Sequence, residues 1–544
     1  MVSTTLSNVQ QVSWEIIAEE KRLQCYQQIP PEWRLPSHYT DRVTDTSVWD
    51  VRDVPRTCGI LSTREVEITE NFDAVALVAA IRECKFTSEE VAIAFCKRAA
   101  VAGQLTRCLT ETFFDDAIAR AKDLDKYLET TKKVKGPLHG LPISLKDSFN
   151  VTGVQTTVGY VSFVGNPPKT TNSPLVDLLL DLGAVLYVKT NLPQTQMSPE
   201  SMNNVFGRVL NPHNLSWGPG GSSGGEGALV SMRGSILGVG TDVAGSIRIP
   251  SLSCGVFGFK PTSSRVPYGG QGSGGRKGNP GIQACAGPLA TSFRDLRFFM
   301  ETVIGGSPWN YDVTALAIPW RKINHHERPL VLGCLSEEDP AYPFHPPVIR
   351  ALNSAVQTLQ QAGHTVKKLQ KVPSISDAVT IAFQMFNLDT ENTAMQHVVA
   401  GGESPIQSLE TSNMTFPGQT FTLDSLFAMN QARNKFMEDW QKVWLDNELD
   451  AIIMPGHRKT AGPHESYGHP PYTLIWNFAD SPACIIPYEK ADASRDINDR
   501  GLADYNAEIV HGAPCAIQVV GRRYQDEELL SAAEEIASVL KVKQ

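Results

Sequence analysis

The 544-residue chain contains no Gly-Lys dipeptide, so it has no GxxxxGK[ST] phosphate loop. Its densest glycine segment, residues 218–251, also lacks a GxGxxG dinucleotide fingerprint. Zinc-protease chemistry needs HExxH, and the nearest text, from His464-Glu465 to His469, is one residue too long. The ten cysteines stand singly from Cys25 to Cys515 without CxxC or metal-type spacing, so they read as reduced, mostly buried thiols of an intracellular protein. Positive charge is also short: 49 Lys+Arg against 58 Asp+Glu leaves −9, and nucleic acid is not expected as a ligand. No run approaches the ~18 apolar residues of a membrane span, and the opening MVSTTLSNVQQVSWEIIAEEKR has no signal-peptide core. The expectation is a cytoplasmic protein with no transmembrane segment, metal or cofactor.

What is present is a core and an alternating pattern. At 41% apolar and 20% charged residues, the chain can bury a large interior and is not disordered. Residues 13–55 read as an arm, a polar helix near 13–28 followed by coil with Pro30, Pro31 and Pro36. The division expected is an N-terminal arm over 1–64, packed on a main domain over 65–544. Thr87 and Glu90 form a capping box before an amphipathic helix. A second helix near 113–130 leads to a short strand, ISL, with Lys146 at its end. Ser173-Pro174 starts another helix that Gly183 can stop, and the strand AVLYVKT follows. The order repeats with strands at 330–334, 451–455 and 515–521, and helices at 346–362 and 526–540. Strands alternating with helices argue an α/β sheet with helices on both faces. The run GGQGSGGRKGNPG (269–281) reads as a mobile surface connection.

Glycine is concentrated where chemistry is expected. Ten of 42 glycines lie between Gly218 and Gly245, where even spreading would place about two (28 × 42/544). Missing side chains permit positive φ, close backbone approach and converging N–H groups. Gly220-Gly221-Ser222-Ser223-Gly224 satisfies the GxSxG nucleophile elbow, and His511 is late enough to complete a Ser…Asp…His order. That pattern is weak here, because it matches twice in overlapping frames.

The longer run GGSSGGEGALVSMRGSILGVGTDVAGSIRIPS resembles the signature of the amidase signature family, serine hydrolases with a Ser–Ser–Lys triad. The resemblance continues through GPLHGLPISLKD, KTNLPQ, FGRVLNP, GFKPT, GPLATSFRDL and GAPCAIQVVGRR, covering about residues 65–540. The arm SWEIIAEEKRLQCYQQIPPEW is similar to the start of fungal acetamidase-type members. The resemblance implies a large mixed sheet flanked by helices, and a cis bond before Ser222. It further implies Lys146 as base, Ser222 as bridging serine, Ser246 as nucleophile, and the amides of Val243, Ala244, Gly245 and Ser246 as an oxyanion loop. At 244 a second glycine is usual in the family; alanine keeps the N–H, and its methyl is expected either to narrow the acyl site or to restrict φ. Gln196 and Met197 fall where members line the acyl pocket.

Hydrolysing an amide needs an activated hydroxyl and a proton for the leaving nitrogen. Lys146 can accept that proton only when neutral. From an ordinary value near 10.4, half-neutrality at pH 7 costs about 4.6 kcal/mol, which burial can impose. Asp242 and Arg248 read as an ion pair bracing the nucleophile loop, Ser223 as a hydrogen-bonding neighbour, and His457 and His511 as bystanders. Residues 337–345 and 371–430 carry no motif and are expected in the pocket wall. The expected function is hydrolysis of a carboxylic amide to acid and ammonia or amine, with a small amide such as acetamide, an aryl-acetamide and a pathway metabolite all left open as substrate, and homodimerisation left open. An esterase using Ser222 and His511, or an amidotransferase-like subunit, are the alternatives.

Overall fold

Short β-branched runs alternating with apolar-faced helices assemble a mixed sheet of eleven strands in a computed structural model that describes residues 13–323 and 328–542. The strands are β1 (Leu109–Thr112), β2 (Pro142–Lys146), β3 (Val185–Thr190), β4 (Met202–Asn203), β5 (Gly207–Arg208), β6 (Leu237–Asp242), β7 (Phe257–Lys260), β8 (Cys285–Ala290), β9 (Val331–Cys334), β10 (Thr365–Lys368), β11 (Ala451–Met454), β12 (Ala483–Lys490) and β13 (Pro514–Val520). Apart from the small β4–β5 hairpin, they run in the order β1-β3-β2-β6-β8-β7-β12-β13-β11-β9-β10. The sheet is parallel at β3-β2-β6 and β11-β9-β10, and antiparallel between. Strands β2, β3 and β6 are buried along their whole length, as parallel strands covered on both faces must be.

The expected elements appear within a residue or two. The helix Ser88–Thr106 starts with the capping box: Glu90 N donates to Thr87 Oγ1 at 3.0 Å, and Thr87 N donates to Glu90 Oε2 at 2.8 Å. Its alanines let it sit buried against the sheet. The helix Pro174–Asp181 ends before Gly183, whose φ is +97°. The helix Trp14–Gln27 is tied down by a buried ion pair, Lys21 Nζ to Glu111 Oε1 at 2.6 Å. Ile29, Trp33, Leu35, Val51 and Val54 then join the same apolar cluster as Val91 and Phe95.

The glycine-rich connection 269–281 differs from its expectation in its first half. Gly270 O accepts from Asn150 Nδ2 (2.7 Å) and Ser173 Oγ (2.8 Å), and Gly272 N donates to Ser148 O (2.7 Å). A Cβ at Gly274 would lie 2.3 Å from the Tyr160 hydroxyl. Glycine there serves close packing, and the fully exposed stretch is 275–280.

Candidate active site

Parallel pairing of β2 with β6 brings Lys146 and Asp242, each last in its strand, to the same carboxyl edge of the sheet. Such edges are where open α/β sheets hold their ligands. Ser222 and Ser223 precede the helix Gly224–Ser231, and Ser246 precedes the helix Arg248–Cys254. Ser223 N donates to Ser246 O at 3.1 Å and laces the two serine loops together. The Ser223 hydroxyl also accepts from Thr241 N at 3.2 Å, so it is structural, as expected.

Lys146 is fully buried, and its Nζ reaches two hydroxyls: Ser222 Oγ at 2.7 Å and Thr241 Oγ1 at 2.8 Å. It has no carboxylate within ion-pair distance among the described residues. Burial drives its ammonium down from the usual range, Asp242 and Glu226 oppose that, and it settles at about 7. The neutral form is therefore well populated near neutrality. The Gly221–Ser222 peptide is cis. A Cβ at Gly221 would fall 2.7 Å from both Glu200 N and Ser198 O, so glycine is required there for close backbone approach.

Asp242 holds the Ser246 loop. Its carboxylate accepts from Gly245 N (2.8 Å), Ile247 N (3.1 Å), Asn477 Nδ2 (2.9 Å) and two nitrogens of Arg248 (3.0 and 3.1 Å). Burial works against its charge, but Arg248, Lys260 and Asn477 together outweigh burial and hold the carboxyl at about 2. Arg248 in turn donates to Thr473 O (2.9 Å), Gln518 Oε1 (2.8 Å) and Asn477 Oδ1 (2.6 Å). The expected ion pair is thus the hub of a network spanning the late chain.

That network also reaches the loop expected to hold the oxyanion. The Gly245 amide donates to Asp242, and Val243, Ala244 and Ser246 line the pocket. Gly245 has φ +128°, and a Cβ there would lie 2.2 Å from Thr473 Oγ1, whose hydroxyl donates to Ala244 O at 2.7 Å. Glycine at 245 therefore serves backbone shape.

A narrow cavity of about 30 Å³ opens beside Ser246, lined by Gln196, Met197, Val243, Ala244, Ile249 and Phe383 among others. Thr195 and Gln196 hold consecutive left-handed φ values of +64° and +63°, an uncommon backbone for a β-branched residue and its neighbour. From the motif-free stretches, Phe383, Phe386, Ser412 and Asn413 reach this wall, while His345 lines a different cavity. Sequence reading missed Thr241, Glu226 and Thr473. The first two lie inside the motif, and Thr473 carries no sequence signal at all.

The nucleophile-elbow alternative does not assemble. His511 accepts from Ala493 N through Nδ1 at the surface, and Ser222 is bonded to Lys146. His457 is buried, stacked on Tyr467 and paired with His469 O.

A family model described as Amidase matches residues 90–530. The chain is 42% identical over 534 residues to an amidase of Gibberella moniliformis, covering 98% of this chain and 99% of that one. It is 36% identical to an acetamidase of Aspergillus oryzae, covering 97% and 99%. In structure it resembles fatty acid amide hydrolase, with a TM-score of 0.91, 31% identity, and coverage of 97% and 95%. No helix among the described residues is long and apolar enough to cross a membrane. A buried lysine bonded to a serine, a second serine on a braced loop and relatives of this kind lead to one conclusion: the chain belongs to the amidase family, as an amidase-signature hydrolase.

Proposed function

We propose that this amidase cleaves small carboxylic amides through an acyl-enzyme on Ser246, with Ser222 as relay and Lys146 as base. The observation that carries the reading is the 2.7 Å contact between the buried, readily neutral Lys146 and Ser222 Oγ. Ser246 Oγ attacks the carbonyl carbon as its proton passes to Ser222, while the Ser222 proton passes to Lys146. The amides of Val243, Ala244 and Ser246 receive the oxyanion. Collapse expels the amine, which takes the proton back from Lys146 through Ser222. Water then attacks the acyl carbon along the same relay and releases the acid.

A cavity of about 30 Å³ supports a short acyl group, since about 10–15 Å³ on this measure holds one water. Met197, Ile249 and Phe383 give it an apolar lining, and Gln196 borders it. The acetamidase relatives support the same size class. Ten unpaired cysteines, seven of them buried, support a cytoplasmic setting. For the division into an arm over 1–64 and a catalytic unit over 65–544, the support is the apolar cluster that Ile29, Trp33, Leu35, Val51 and Val54 of the described arm share with that unit.

The test is mass-spectrometric trapping with amides of graded acyl size. An acyl mass on Ser246, with turnover highest for two- or three-carbon acyl groups, is expected. Acylation of any other residue overturns the nucleophile, and activity only in the presence of a partner chain favours the amidotransferase-like alternative.

A further inference from the structure

Two buried carboxylates face Lys146, and they are neutralised in different ways. Asp242 on β6 carries Arg248 on two of its hydrogen bonds and a third from Asn477. Glu226, in the first turn of the helix Gly224–Ser231, is equally buried, but its hydrogen bonds come from neutral hydroxyls. Ser144 Oγ donates to one carboxyl oxygen at 2.6 Å, and Thr190 Oγ1 donates to the other at 2.9 Å.

Those hydroxyls are not placed at random. Ser144 lies two residues before Lys146 on β2, and Thr190 on β3 is the register partner of Lys146. A Cβ at Gly238, the β6 partner of Ser144, would lie 2.0 Å from Glu226 Oε2. Glycine at 238 therefore makes room for this carboxylate to lie against the sheet beside Ser144.

The ionisable groups around Glu226 narrow the assignment. From the β1 and β3 side come Cys108 and Tyr187, both kept protonated by burial. On the helix Arg248–Cys254, Arg248 is engaged by Asp242; on the helix Ser88–Thr106, Arg98 is engaged by Glu70. Cys254 is a buried, protonated thiol. Lys189 on β3 is engaged by Asp147. Among the described residues, Lys146 is the cation that remains to act on Glu226.

We propose that Glu226 is a positioning residue for amide hydrolysis, whose carboxylate, clamped by Ser144 and Thr190, sets the charge state of Lys146. The inference rests on Lys146 serving as the base. Both groups are displaced toward neutrality: burial drives Glu226 up, the two hydroxyls and Lys146 resist, and it settles at about 7, beside Lys146 at about 7. One proton held by this pair leaves its net charge at zero on either residue. The lysine can thus become neutral without stranding a charge in the interior.

The test is the pH profile of kcat/KM in Glu226→Gln. Removing the negative charge favours neutral Lys146, so the acid limb moves to lower pH by about one pH unit, with KM near the parent value. Ser144→Ala, which weakens support for the carboxylate while leaving the helix intact, moves the limb the same way by less. It provides the readout if Glu226→Gln fails to fold. Glu226→Asp keeps a charge in place and holds the limb near the parent position even where kcat falls. A limb that stays put in both Glu226→Gln and Ser144→Ala, whatever the loss of kcat, makes Glu226 merely structural and overturns the inference. Lys146→Ala separates the two levels. If it retains turnover, the base assignment falls and this inference with it. If it is inactive while the other limbs do not move, this inference falls alone.

Discussion

The two sides of the substrate cavity are built on opposite principles. On one side, Asp242, Gly245, Ser246 and Arg248 are buried and cross-braced by named hydrogen bonds from several elements. On the other, Phe383, Phe386, Ser412 and Asn413 come from the helix Ile375–Phe386 and the helix Gln407–Ser412 with its cap residue, and meet the cavity mainly by shape. A directional network fails as a unit when one member is lost, because the partner is left charged or unpaired. A van der Waals wall yields in proportion to the volume removed. The chemistry is therefore brittle and the specificity plastic.

The largest break is Lys146→Ala. Turnover should fall on the order of 10²–10⁴-fold, while His511→Ala stays within twofold, measured as kcat on a short-chain amide. Equal losses in the two variants would dissolve the distinction between frame and bystander. Next comes Arg248→Met, which strands the Asp242 carboxylate in the interior. It should destabilise the fold by about 3–5 kcal/mol in denaturant titration. A variant as stable as the parent would mean that the network is ornamental.

Gly245→Ala combines a disfavoured φ with a close approach to Thr473, and should cost about 1–3 kcal/mol while lowering kcat more than KM rises. Activity also has a pH signature. With neutral Lys146 as the proposed working form, kcat/KM should fall as pH drops through about 7 and level off above it. A profile flat from pH 5 to 9 contradicts that. The mildest case is Phe386→Ala on the plastic side. It should raise activity on amides with one or two extra methylenes by about tenfold and leave Tm almost unchanged. A collapse of all activity would show that the wall, too, is part of the frame.

How far the sequence speaks follows the same division. Lys146, Ser222 and Ser246 could be nominated because a long motif carries them, and the α/β alternation was legible because apolar periodicity is local. The bond from the Gly245 amide to Asp242 was not anticipated, although a signal for it was present. Asp242 stands three residues upstream, and an aspartate at that spacing often accepts the local backbone N–H. Glu226 sat in view within the motif, but its meaning depends on β2 lying beside β6, which spacing does not reveal. Phe383 looks like any core residue of an amphipathic helix, and only tertiary packing turns it toward the cavity.

The brace on the nucleophile loop also orders events during synthesis. Thr473 holds the Ala244 carbonyl, Asn477 holds Asp242 and Gln518 holds Arg248. All three emerge from the ribosome more than 220 residues after the loop they steady. A nascent chain that already carries Lys146, Ser222 and Ser246 therefore still lacks the full brace on this loop until the strand Pro514–Val520 has been made.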